Sequence, residues 1–456
     1  MLHHDLVLGV VRPGTKVYRI VPIYAYYDRH INFWLLVCVL AVIFYVRWVL
    51  RTAIGDTRRF SWKLAGWFLV IVVTVAMLDG GPKRLWRPFD VLRETDYIGG
   101  VESVDSPGVF LRDYAELRED LPMHCQTHPP GAILFLWCVD RCLGPGPIAA
   151  SLVTILFVTL SIPAVVGLAR LGAGDKPGRL AACFFLLAPN VVLFTATSMD
   201  AVFMVPMVWT VYLLFLAVEK RTPEDSSRLA WSRSPWFLGL LAGLCASIAA
   251  MMTFSAALIA LWAIILGLVV LIAKRDRFPA TFTALATALA TAILFYVLLY
   301  LGTGYHLLEV LYAATSSHES IMSGGNYGSV CQYFHLMLGN LVAFLAGSGI
   351  PISVLYLCTA KSDLSVLKTK PRGEKLSPER LLNYTFLATF FVTLCAPIYT
   401  LEVERIWIFW IPFLAIGAVR CLDKEPDDTV RSTARLAMIL LAIQTIVMES
   451  FLETLW

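Results

Sequence analysis

Apolar runs of about 17 or more residues recur along almost the whole chain, and they fix its solvent before any motif is read. A helix rises about 1.5 Å per residue, so about 20 apolar residues cross a hydrocarbon core of roughly 30 Å with every backbone group bonded internally. Runs near 32–50, 64–80, 147–169, 180–197, 201–218, 237–252, 255–273, 280–301, 336–359, 382–400, 406–420 and 436–454 predict about twelve transmembrane helices. With 58% hydrophobic and 15% charged residues, the chain is far poorer in charge than soluble domains, which carry about a quarter. The mean hydropathy of +0.71 agrees. The runs are too long for barrel strands of roughly ten residues. The expected fold class is an all-α polytopic membrane protein, one domain over residues 1–456.

Charge then sorts the loops. Asp5, Arg12, Lys16 and Arg19 precede the first run, unlike the compact layout of a cleavable signal peptide, so the first span is expected to be retained. The stretch Gly131–Gly144 is apolar but short, carries Asp140 and Arg141, and runs into Gly144-Pro145-Gly146-Pro147. It reads as an interfacial helix. With it lying on the surface, 24 of the 37 Lys and Arg residues gather in loops on one side, which the positive-inside rule makes cytoplasmic. As a full crossing it would split them between both faces. Residues 81–146 then form a long first outer loop carrying juxtamembrane helices. Segments around Asp200, 302–335 and 402–405 share that face. The net charge of +4 calls for no nucleic-acid partner, and the ten cysteines, with no CxxC pair, supply no zinc or redox motif.

The first outer loop holds Asp90, Glu94, Asp96, Glu102, Asp105 and Asp113. Most acids at a membrane surface are simply solvated. Asp96 stands out because Tyr97 flanks it and Gly99-Gly100 follow, so its backbone can approach a substrate and its carboxylate can act as a general base. Asp90 and Glu94 remain rival bases. In Thr127-His128-Pro129-Pro130-Gly131 the two prolines fix φ and hold His128 at a rigid corner, either as a positioned catalytic imidazole or as a helix cap. His124 lies four residues earlier, a metal-ligand spacing on a helix, but the prolines oppose a helix through both, so no metal site is expected. Asp200 sits where the fourth span gives way to the fifth, as an N-cap or as part of a site. Arg405 either anchors its span at the headgroups or makes a bidentate contact to a phosphate, held by Glu402 or Glu404. The segment with His318, Glu319, Gly324-Gly325-Asn326-Tyr327 and Tyr333 reads as a mobile lid.

An acidic first loop ending in His128-Pro129-Pro130, a span-edge Asp200-Ala201 and a late Glu404-Arg405-Ile406-Trp407 resemble the GT-C glycosyltransferases, from about Asp79 to Arg420. Within that superfamily the order is most similar to the family 39-like branch of protein O-mannosyltransferases and the lipid A aminoarabinose transferase. The resemblance implies inverting transfer of a sugar from a polyprenyl-phosphate donor to a glycan, lipid or protein acceptor. The reaction would run on the outer face of a plasma or inner membrane, with Asp96 as base and Glu94, Tyr97, His124, Asp200, His318, Glu402, Glu404 and Arg405 around the substrates. Thr95-Asp96-Tyr97 stands where the family usually has an Asp-Glu pair, and Gly131 stands where it has Leu. No cofactor is required, although a divalent metal at the acidic loop stays open. The alternative is a transporter or flippase for a lipid-linked or anionic substrate. Transporters tend to place ionisable groups at the bilayer midplane, whereas here they collect at one edge.

Overall fold

The computed structural model describes residues 25–27, 29–52, 57–219, 234–322, 330–369, 376–396, 399, 402–422 and 425–453. Two spans, α1 (Trp34–Arg51) and α2 (Thr57–Ala76), precede the long loop. That loop contains α3 (Arg87–Val91), α4 (Pro107–Leu117), α5 (Met123–Gln126) and α6 (Gly131–Leu143). There follow α7 (Pro147–Val158), α8 (Ser161–Ala173), α9 (Asp175–Leu187), α10 (Pro189–Thr195), α11 (Met199–Val218), α12 (Pro235–Met252), α13 (Ala256–Ala273) and α14 (Phe278–Thr303). The rest comprises α15 (Leu307–Met322), α16 (Val330–Gly347), α17 (Ile350–Thr369), α18 (Pro378–Cys395), α19 (Val403–Ile406), α20 (Ile411–Arg420) and α21 (Asp427–Phe451). A two-residue antiparallel pair, β1 (Tyr26–Tyr27) with β2 (Leu452–Glu453), ties the two ends of the described chain together.

Among the described residues, eight helices are long and apolar enough to cross a membrane, or ten if each of two bent pairs is one span. The expectation of about twelve differs for physical reasons. Helix α18 opens on Pro378-Glu379-Arg380 and carries Asn383 and three threonines, which lower its hydropathy; α20 has only 10 residues. The run 336–359, read as one span, is broken: α16 and α17 meet at 114°. Gly349 there has φ +101, a conformation that side-chain-bearing residues avoid. Helix α16 runs across the ends of its neighbours, with the Tyr333 hydroxyl donating to the Cys395 carbonyl at 2.5 Å and the Asn340 amide to the Tyr399 carbonyl at 2.7 Å. The segment expected to form a lid, with His318, Glu319, Gly324-Gly325-Asn326-Tyr327 and Tyr333, is helical where it is described, at the end of α15 and the start of α16; residues 323–329 lie outside the described residues.

The two ends of the bundle differ in chemistry. One end gathers Lys176 with Asp427 (3.2 Å), Lys274 with Glu219 (3.1 Å) and Arg420 with Asp363 (2.9 Å). At the opposite end lie Asp79, Asp96, Asp200 and Arg405, and α6 packs across it. Helix α6 is about 20 Å long at 1.5 Å per residue, too short to span. Its Trp137 indole donates to the Val104 carbonyl at 3.0 Å. Its first residue explains the departure from leucine, because a Cβ on Gly131 would lie 2.3 Å from the Met251 carbonyl oxygen. Asp79 pairs with Arg84 and, at 2.7 Å, with His30, bracing the chain before α1 onto the end of α2.

Lipid tails are as apolar as leucine, so helices in a bilayer associate by close packing of small residues. Gly239 and Gly243 of α12 lie one turn apart, and a Cβ on either would fall 2.3 or 2.4 Å from the carbonyl oxygens of Ala284 and Ala288 on α14. The two backbones touch along this stripe. Gly243→Val is expected to force the helices apart and cost about 1–3 kcal/mol, as overpacking does. A lower thermal unfolding temperature in detergent is the expected reading, and an unchanged one contradicts the contact.

Candidate active site

The first loop delivers one carboxylate to the interior. Asp96 caps the 3-10 turn Tyr97–Ser103, its carboxylate accepting the Tyr97 N–H at 2.7 Å. It is 5% exposed, whereas Asp90, Glu94, Glu102 and Asp105 are exposed. Glu94 therefore stays on the solvent side of the turn. Gly99 and Gly100 serve packing within the loop, not the approach of a substrate: a Cβ on Gly99 would lie 1.8 Å from the Arg93 carbonyl oxygen, and one on Gly100 3.0 Å from Ile133. The Thr95 carbonyl accepts the His124 N–H at 3.0 Å. That bond brings the His124 Nδ1 to 3.5 Å from the Asp96 carboxylate.

The His-Pro-Pro corner follows from hydrogen-bond accounting. Helix α5 cannot continue, because Pro129 and Pro130 have no N–H to offer the carbonyls of Cys125 and Gln126 four residues back. Side chains replace those donors. The Tyr114 hydroxyl of α4 lies 2.7 Å from the Cys125 carbonyl and 2.9 Å from the His128 carbonyl, its single proton serving the two, and Arg118 donates to the Gln126 carbonyl at 3.4 Å. His128 Nδ1 lies 3.1 Å from both the Thr127 hydroxyl and the His124 carbonyl. Burial drives the His128 pKa down to about 4, with His124 and Arg405 acting in the same direction and Asp200 and the His124 carbonyl opposing. The imidazole is neutral at pH 7.

Arg405 anchors the second half. It is 8% exposed; its Nε lies 3.1 Å from Asp200 and its Nη2 2.6 Å from Glu402. Burial works against its charge, but Asp200, Glu402, Tyr97 and Asp96 outweigh it, so its pKa stands above the ordinary arginine value. Glu402 is the only non-glycine residue with positive φ (63°) among the described residues, and this turn opens α19 so that its side chain meets Arg405. Glu404 is buried where α19 meets α16, with Gly347 against its Cβ and its carbonyl accepting from Asn190 at 3.0 Å. The N-cap of α11 is Ser198, not Asp200; the Ser198 hydroxyl donates to the Asp200 carboxylate at 2.9 Å.

Tyr97 joins the halves. Its buried ring meets those of His128 (5.6 Å), Phe203 (5.8 Å) and His124 (6.0 Å). Its phenol is pushed well above its usual pKa by burial, then by Asp200 and Asp96. The structure thus brings together Asp96, Tyr97, His124, His128, Asp200, Glu402 and Arg405. It does not bring in Glu94, and the side chain of His318 lies outside the described residues. Sequence reasoning missed Ser198, Phe203 and Tyr399, whose hydroxyl lies 2.9 Å from the Ser255 hydroxyl and whose phenol burial pushes up. The Ser-x-Asp spacing before a long span is an N-cap signal that could have found Ser198. Formally the cluster carries three acids against one arginine. Among the described residues no group of three or more His, Cys, Asp or Glu side chains converges to hold a metal ion.

No family model and no curated protein matches the chain. Solved structures do. The apo oligosaccharyltransferase of Archaeoglobus fulgidus aligns over 87% of this chain and 56% of its own, at a TM-score of 0.55 and 11% identity. ArnT from Cupriavidus metallidurans bound to undecaprenyl phosphate aligns over 81% and 62%, at 0.47 and 16%. The chain thus spans less than two thirds of the length of these structures. The oligosaccharyltransferase has the GT-C glycosyltransferase fold, and by that likeness the fold of this chain is the GT-C fold.

Two outcomes follow from the corner. Tyr114→Phe removes the one hydroxyl that serves the Cys125 and His128 carbonyls and is expected to cost about 1–3 kcal/mol, read as thermal stability in detergent; no loss contradicts the capping role. A histidine whose pKa falls on folding destabilises the native state as pH drops from its unfolded value near 6.5 toward 4. Across that window His128→Gln is expected to lose less stability than the parent, and parallel curves would contradict a buried neutral imidazole.

Proposed function

We propose that this chain, having the GT-C fold, transfers a sugar from a polyprenyl-phosphate donor to an acceptor hydroxyl at the outer face of the cell membrane, inverting the anomeric carbon. One observation carries the reading: Asp96 is the one buried carboxylate among the acids of residues 90–120, and it faces a cluster whose fixed cation is Arg405. Asp96 removes the proton of the acceptor hydroxyl as that oxygen attacks the anomeric carbon, and the bond from that carbon to the phosphate oxygen breaks on the opposite side. The lipid phosphate leaves with the electron pair. Arg405 stabilises the charge that develops there, the electrostatic role that contributes most in such sites.

Asp200 holds the guanidinium Nε throughout. Glu402 stands in a backbone conformation that costs about 1–3 kcal/mol and is the partner that the phosphate displaces from Nη2. His128, neutral, is an acceptor or donor for a sugar hydroxyl, and Tyr97 packs beneath it. His124 orients the Asp96 carboxylate.

Asp96→Asn is expected to lower transfer from a polyprenyl-phosphate sugar by about 100-fold or more, the range of general-base catalysis. The assay is radiolabel transfer in proteoliposomes, with unchanged thermal unfolding as the folding control. Full activity in a folded Asp96→Asn protein rules out this base.

A further inference from the structure

Far from the site, α1 and α21 leave a groove of about 450 Å³ between them. Its walls are aliphatic, with Val42, Ile43 and Val46 facing Ile439, Ala442 and Ile443, and it extends along about 17 Å of α1, from Val39 to Leu50. Two arginines also line it. Arg47 lies one turn before the end of α1 at Arg51, and Arg435 lies two turns into α21. Both are exposed, and among the described residues neither has a carboxylate partner. Of the neighbouring charges, Asp427 pairs with Lys176, and Arg431 donates to the Leu50 carbonyl at 3.2 Å, closing the basic end of the groove; Asp428 lies two turns before Arg435.

An arginine on the lipid-facing side of a membrane helix is costly unless its charge is met, so two of them lining one groove favour an anion there. A single arginine can satisfy itself by reaching for any headgroup. Two that line one groove, at the end of the bundle where the basic residues gather, make a cationic rim beside an acyl-chain-shaped slot. We infer that the groove binds an anionic diacyl phospholipid of the surrounding leaflet, one acyl chain lying between α1 and α21 and the phosphate between Arg47 and Arg435. The site is separate from the sugar-transfer cluster and does not depend on that reading.

Native mass spectrometry of the full-length protein, titrated with phosphatidylglycerol or phosphatidylcholine of matched chains, tests it. Phosphatidylglycerol adducts are expected to outnumber phosphatidylcholine adducts severalfold. Arg47→Gln with Arg435→Gln is expected to erase that preference, the double lysine variant to retain most of it, and Lys83→Gln at the opposite end to leave it intact. Ile443→Trp fills the slot and is expected to reduce adducts of both lipids. Equal binding of the two lipids by the parent, an undiminished preference in the double glutamine variant, or a dimer or protein adduct in place of lipid overturns the inference.

Discussion

A buried guanidinium holds the site end of this bundle together. Arg405 rises from the short helix that follows α18, and its two carboxylate partners come from the start of α11 and from the turn immediately before it. Removing one partner of such a buried pair typically costs about 3–5 kcal/mol, because the remaining charge is stranded. The arrangement therefore fixes where α11, α18 and α19 meet. It also sets the field felt by the first loop: Arg405 helps keep His128 neutral, while Asp200 and Asp96 add to the burial that raises the Tyr97 phenol.

The breaks in the helices are placed around this point. A bilayer tolerates irregular backbone only where protein satisfies it. Pro189 bends α9 from α10 by 53°, and Gly349 turns α16 from α17 by 114°. At the third break, Pro129-Pro130, the orphaned carbonyls are met by Tyr114 and Arg118. The opposite end is built from ordinary ion pairs between helix termini, and the ionisable groups thus divide between the two ends. That division suits chemistry at one surface better than a midplane transport site.

Much of this was legible in the sequence. Apolar runs indicated the class, and Asp96, His128, Asp200 and Arg405, singled out by residue type and position, lie in one cluster. Other features were hidden for identifiable reasons. The Gly347-Ser348-Gly349 break lies inside continuous hydropathy, and a sliding reading of apolar residues cannot see a backbone angle. Asp200 and Arg405 are some 200 residues apart, so their pairing is a tertiary fact that no local pattern encodes. Glu402 and Glu404 differ only in direction, which depends on the positive φ at Glu402. Gly99 looked like an opening toward a substrate, yet the Arg93 carbonyl is what it accommodates.

We propose that the first-loop acid and the late arginine serve one reaction from opposite sides of one sugar. The most direct measurement is a cryo-electron microscopy structure of the full chain with a non-hydrolysable polyprenyl-phosphonate sugar. The expected result is the phosphonate within hydrogen-bond distance of Arg405, Glu402 turned away from Nη2, and the anomeric carbon facing Asp96. A donor seated elsewhere, or seated with its anomeric carbon turned from Asp96, contradicts it.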